Sequence, residues 1–154
     1  MALEKNTTAP DFTLRSQHGE SVTLSNFRGV KPVTLVFFPL AFTGTCTGEL
    51  CEIRDNFALF KDNGVELIAI SVDNKASLRV FAEQEGYDFT LLGDFWPHGD
   101  VAKLYGVFNE EAGHASRATF VIDKEGTIAD VITVDHGARS FDDYRRAVAA
   151  VTAS

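Results

Sequence analysis

Residues 33–60 read VTLVFFPLAFTGTCTGELCEIRDNFALF. The segment from Val33 to Phe38 is a continuous apolar run of strand length, the pattern of a central strand buried on both faces. It stops at Pro39, which has no N–H to give to a ladder. From about Cys46 to Phe60, the residues Leu50, Ile53, Phe57 and Phe60 recur at helical spacing and mark a buried helix face. Four residues back from Leu50 is Cys46. A thiol on that inward face, in the first helical turn, lies just past the end of a central strand, where open α/β sheets place their ligands. There the positive end of the helix dipole and free backbone N–H groups favour the thiolate, the nucleophilic form.

Outward from this unit the chain alternates strand and helix signals. Toward the N-terminus, residues 9–14 and 21–24 flank a turn at 17–20, a β-hairpin pattern. Toward the C-terminus, Val65 to Val72 is a second buried strand. Lys75 to Glu85 follows as a helix ended by Gly86. Thr90 to Leu92 is a short strand, and Asp100 to Tyr105 a short helix stopped by Gly106. Ala118 to Ile122 and Ile128 to Val134 surround a hairpin turn at 123–126. A last helix starts at Ser140, with Ser140 as its cap and Asp143 completing a capping box. Strand, helix, strand requires a parallel crossover, and the late hairpin adds antiparallel strands. The expected fold is α/β, one domain over residues 1–154, with a mixed central sheet flanked by helices.

The composition narrows the function. A net charge of −8 argues against nucleic acid, which needs a basic patch, and against an anionic membrane surface. The N-terminal residues form no apolar signal region, and the stretch from Val33 to Phe42 is too short to span a bilayer, so a cytoplasmic location is expected. Thirteen Phe residues imply an aromatic core or an aromatic-lined pocket. Phe37, Phe42, Trp96 and Phe108 are candidates to line an apolar approach to the site, with core or interface packing an equally good account of them.

Cys46 and Cys51 are the two cysteines. Five residues turn a helix by ~500°, which leaves these side chains ~140° apart and their Cα atoms ~8.6 Å apart. A disulfide needs less than ~7 Å, so the bond forms only if the first turns of the helix unwind. Gly48, between them, lowers the cost of unwinding by ~1 kcal/mol relative to Ala. From the residues alone Cys51 is either a resolving thiol or a bystander. A thiol–disulfide oxidoreductase would normally use C-x-x-C spacing. A metal-binding module would have to draw on Cys46, Cys51, His18, His98, His114 and His136, which lack paired ligand spacing.

The residues Pro39-Leu-Ala-Phe-Thr43-Gly-Thr-Cys46 resemble the peroxiredoxin motif P-x-x-x-[T/S]-x-x-C. Along nearly its full length the chain is similar to the E-type (AhpE-like) peroxiredoxins, through residues 35–44, 48–50, 94–99, 105–110 and 117–121. Those are generally one-cysteine enzymes. The Cys46-Thr-Gly-Glu-Leu-Cys51 arrangement resembles instead the Q-type (bacterioferritin comigratory protein-like) branch, whose second cysteine resolves the first.

The resemblance implies a thioredoxin-like fold and a thiol-dependent peroxidase acting on hydrogen peroxide and organic hydroperoxides without metal or organic cofactor. It also implies roles. Cys46 is the peroxidatic cysteine. Thr43 hydrogen-bonds thiolate and peroxide, Pro39 shields the site, Arg117 supplies fixed positive charge, Glu49 orients Arg117, and Cys51 resolves. Each has a plainer account: Pro39 as strand terminator, Thr43 as helix cap, Arg117–Glu49 as an ordinary surface ion pair. The implied reductants are thioredoxin, mycoredoxin or a low-molecular-weight thiol such as mycothiol. The implied assembly is a homodimer packed through loops near the site, with residues 94–99 as the candidate edge.

Overall fold

The computed structural model describes residues 2–134 and 139–152, and for residues 45–47 the course of the backbone alone. The hairpin pairs β1 (Thr13–Ser16) with β2 (Ser21–Thr23). One turn of 3-10 helix (Leu24–Phe27) leads to β3 (Val33–Phe37), buried at every position. Then come α1 (Gly44–Asp55), α2 (Ala58–Lys61) and β4 (Glu66–Ser71). They are followed by α3 (Lys75–Glu85), β5 (Thr90–Gly93) and α4 (Asp100–Leu104). The two-residue strands β6 (Phe108–Asn109) and β7 (His114–Ala115) pair with each other. The chain closes with β8 (Ala118–Ile122), β9 (Ile128–Thr133) and α5 (Phe141–Thr152).

Among the described residues seven strands form one sheet in the order β2-β1-β5-β4-β3-β8-β9. Its centre is parallel, β3 with β4 and β4 with β5. Its flanks are antiparallel, β1 on β5 and β8 on β3. Period-two alternation divides the apolar side chains between two layers. Val36, Phe38, Leu67 and Ala69 face α1, α3 and α5, where Leu50, Ile53, Leu78, Phe81, Tyr144 and Val148 complete one core. Leu35, Phe37, Ile68 and Ile70 face the other way, onto Phe12, Tyr105 and Phe120. Two covered faces explain why β3 and β4 read as unbroken apolar runs.

The structure departs from the sequence reading, or adds to it, at three points. The helix expected over 46–60 begins two residues earlier and is interrupted, because Asn56 leaves helical geometry at φ −118° and ψ 23°, its side-chain amide donating to the Glu52 carbonyl. Asn competes for backbone groups in this way and ends helices readily. The β6–β7 hairpin, too short to show alternation, has no counterpart in the sequence reading. Of the aromatic residues for which an approach and packing were left open, Phe37 lies in the core against Tyr105 and Phe120, and Phe108 packs beside His98 with Lys103 over its ring. Other expectations hold in detail. The helix from Lys75 to Glu85 has those bounds, with the Asn74 side chain accepting from the Ser77 N–H and Gly86 left-handed at φ 71°.

Candidate active site

The site is assembled where β3 ends. The Phe38 N–H still reaches the Ile70 carbonyl at 3.0 Å, and pairing then stops at the buried Pro39. Phe42 takes a left-handed φ of 67°, an unusual conformation for a bulky residue, and its ring rests 5.0 Å from that of Phe81. Thr43 returns to extended geometry and stands at the N-cap of α1, yet its hydroxyl does not cap the helix. It donates instead to the Leu40 carbonyl at 3.0 Å, which keeps its lone pairs available as acceptors. Cys46 follows as the third residue of α1; its side chain lies outside the described residues, as does His136.

One turn further, Glu49 is buried at 4% exposure. Two guanidinium groups reach it. Arg117 directly precedes β8, and the pairing of Ala118 with Phe37 brings it beside the end of β3. Its Nε lies 3.7 Å from Glu49 Oε1. The tighter partner is Arg139, in the connection between β9 and α5. Arg139 Nη2 and Nε donate to the two Glu49 oxygens at 2.7 and 2.8 Å, and its backbone N–H donates at 2.6 Å. Its Nη1 donates to the Phe37 carbonyl at 2.8 Å and to Thr119 Oγ1 at 3.1 Å. The Thr119 hydroxyl in turn contacts the Tyr144 hydroxyl at 2.9 Å. Burial pushes the Tyr144 phenol up, so it stays neutral in this network. Two arginines and one carboxylate leave an excess positive charge, fixed in place because arginine stays protonated.

The arrangement modifies the sequence reading in two ways. The Glu49 carboxylate is buried, so its contact with Arg117 is not an ordinary surface pair. And its closest grip is on Arg139, which sequence analysis passed over. No spacing rule links Arg139 to Cys46. The available signal was Glu49 itself, next to Leu50 on the inward helix face, since a buried carboxylate demands a well-formed cationic partner.

Cys51 sits elsewhere. It is half-buried on α1, with Sγ 3.5 Å from Glu85 Oε1 and 3.5 Å from the Tyr87 hydroxyl. Arg54 steadies this corner by donating to the Glu85 carbonyl at 2.6 Å. Burial, reinforced by the Cys51 contact, pushes the Tyr87 phenol up. The helix is continuous through both cysteines.

Leu40, Phe42, Phe95 and Trp96 are exposed around this end of the sheet, Trp96 by 81%. A cavity of about 610 Å³, lined by Val30, Pro32, Lys124 and Val151, lies at the opposite end, where β3 begins, and contains none of the groups above. Among the described residues no three His, Cys, Asp or Glu side chains gather as a metal site would require. Among the described residues no helix is long and apolar enough to cross a membrane.

Known proteins share this arrangement of sequence and fold. Residues 6–131 match the model of the AhpC/TSA family. Alkyl hydroperoxide reductase E of Mycobacterium tuberculosis is 53% identical over 126 residues, 82% of each chain. The chloroplastic peroxiredoxin Q of Triticum aestivum is 40% identical over 127 residues, 82% of this chain and 57% of that one. The crystal structure of peroxidoxin BcpB from M. tuberculosis superposes with a TM-score of 0.86 at 33% identity, covering 98% of this chain and 97% of the other. With a thioredoxin-like sheet and E-type sequence carrying a Q-like second cysteine, the chain belongs to the AhpC/TSA family of peroxiredoxins and is a thiol-dependent peroxidase.

Proposed function

We propose that Cys46 is the peroxidatic cysteine and that Cys51 resolves it. The Cys46 thiolate attacks the terminal oxygen of a hydroperoxide; the S–O bond forms as the O–O bond breaks. The leaving oxygen takes a proton and departs as water or an alcohol, and Cys46 becomes a sulfenic acid. Negative charge passes from sulfur to the leaving oxygen, so donors set in place beforehand lower the barrier. Arg117 supplies them with fixed charge, Thr43 keeps its proton on the Leu40 carbonyl and accepts the O–H of the hydroperoxide at its hydroxyl oxygen, Pro39 shields the sulfur, and Glu49 orients Arg117 while anchored by Arg139. The observation that carries this reading is the buried Glu49 carboxylate held between two arginines, one turn beyond Cys46 and beside the end of β3.

The Cys51 thiolate then attacks the sulfenic sulfur. The S–S bond forms, the S–O bond breaks, and water leaves. Because α1 is continuous through both residues, its first turns unwind for this step. The disulfide is reduced by a thioredoxin or mycoredoxin. Where Cys51 does not react, a low-molecular-weight thiol such as mycothiol attacks the sulfenic acid directly. The whole chain, residues 1–154, acts as one unit in the cytoplasm. It pairs as a homodimer through residues 94–99, where Phe95 and Trp96 are exposed.

Intact mass with peptide mapping, after one equivalent of hydroperoxide, tests the cycle. The expected product has lost two hydrogens through a Cys46–Cys51 link. Oxygen retained on Cys46 with Cys51 free selects the external-thiol route, and an unreacted Cys46 overturns the assignment.

A further inference from the structure

The loop that carries Pro39 and Thr43 is held from outside by an acidic side chain that sequence analysis did not single out. Ser71 ends β4 and is fully buried. Two residues on, Asp73 Oδ2 accepts the Ala41 N–H at 2.8 Å and the Ser71 hydroxyl at 2.6 Å. Asp73 is itself braced by two strand ends. Its N–H faces Ser71 Oγ at 3.3 Å, and the Ser71 carbonyl accepts the Asp94 N–H at 2.7 Å. Gly93, the last residue of β5, packs so closely that a Cβ there would stand 2.6 Å from the Asp73 carbonyl oxygen. The acceptor is therefore rigid relative to the sheet. The loop it grips is strained, since Ala41 is followed by Phe42 at φ 67° and then by the N-cap of α1.

We infer that Asp73 is a positioning residue for the peroxidase reaction. By holding the Ala41 N–H, its carboxylate keeps Phe42 left-handed and Thr43 in register with the first turn of α1. A hydrogen bond to a charged acceptor is stronger than a neutral one and falls off steeply with geometry. Because Ala41, Phe42 and Thr43 run directly into α1, the same grip opposes unwinding of the helix. Asp73 thus favours the folded site over the opened form in which Cys51 reaches Cys46; this second consequence rests on the resolving role proposed above. Losing the grip slows the reaction of Cys46 with peroxide and speeds closure of the disulfide.

Rapid mixing separates the two steps, the second-order oxidation of Cys46 and the first-order loss of the sulfenic acid. In Asp73→Ala, oxidation is expected to slow roughly tenfold, the factor for one charge-assisted hydrogen bond, while disulfide closure accelerates. Asp73→Asn retains an acceptor for Ala41 and is expected to restore oxidation to within about threefold of the parent. General destabilisation does not move the two rates in opposite directions. Parent-like oxidation in Asp73→Ala, both rates falling together, or Asn behaving as Ala overturns the inference. An unreactive Cys46 in the parent chain overturns instead the catalytic assignment. Should Asp73→Ala not fold, hydrogen exchange on the parent decides. The Ala41 and Gly48 amides are expected to exchange through one common opening, and an Ala41 amide that exchanges freely while Gly48 is protected overturns the inference.

Discussion

Glu49 is buried between two arginines whose surroundings differ, and the difference matches the anchoring role proposed for one and the chemical role proposed for the other. The Arg139 side chain is fully buried, satisfied by Glu49, Phe37 and Thr119. The Arg117 side chain is 21% exposed and stands farther off. Replacing Arg139 by Met leaves a buried carboxylate without its bidentate partner, which is expected to cost about 3–5 kcal/mol of stability, read from the urea midpoint. Replacing Arg117 by Met is expected to change stability much less but to lower the oxidation rate of Cys46 by about 100-fold, the scale for loss of one donor to a developing charge. Equal losses of stability in the two variants would remove the distinction. Arg117 was legible in the sequence through the resemblance of residues 117–121 to the peroxiredoxins. Arg139 was not, because its role depends on where a connection between β9 and α5 returns in space.

At the scale of the element, α1 carries both thiols, and the proposed cycle requires two states of it. Its inward face was readable from Leu50 and Ile53, both buried as the spacing requires, while Phe57 is half-buried and Phe60 is buried on α2 beyond the interruption. Its start lies at the Thr43 cap position that the sequence offered; the left-handed φ of Phe42 just before it was not legible, because sequence assigns that conformation to Gly or Asn rather than Phe. Gly48 is exposed, and a Cβ there would meet nothing within 4 Å. Gly48→Ala is therefore expected to stabilise the helix by ~1 kcal/mol and, since the proposed resolution step unwinds that helix, to slow Cys46–Cys51 disulfide formation about fivefold. Oxidation of Cys46 is expected to stay at the parent rate. Rapid-quench alkylation of free thiols after a peroxide pulse measures the effect, and a disulfide rate unchanged by the extra methyl would argue against unwinding as the gate.

At the scale of the whole molecule, the two layers on either side of the sheet bury the phenols. Tyr87, Tyr105 and Tyr144 account for every tyrosine in the chain, and burial pushes each of them up from the ordinary value near 10. The neutral phenol is favoured in the fold, while the unfolded chain ionises near 10. Stability from these groups is thus fully present below that pH and is lost as pH rises above it toward the folded values. Tyrosinate absorbance is expected to show no titration of the native protein near pH 10 and then a cooperative rise that coincides with loss of secondary structure. A gradual rise near pH 10 in the folded protein would show that at least one ring is open to water.

Elements with local signals were legible along the chain: apolar runs for strands covered on both faces, helical spacing on α1, a glycine stop after α3, and a proline, threonine and cysteine at fixed intervals after a buried strand. These rest on one chain segment meeting water or core, so a linear pattern records them. What meets across the sheet emerged from the folded chain alone. The pairing of β8 with β3 carries Arg117 to the end of the central strand, a connection some 90 residues from Glu49 delivers Arg139, and the end of β4 sets Asp73 under Ala41. Hydrogen bonds and ion pairs of this kind act over a few ångströms in space, and no periodicity along the chain encodes that distance.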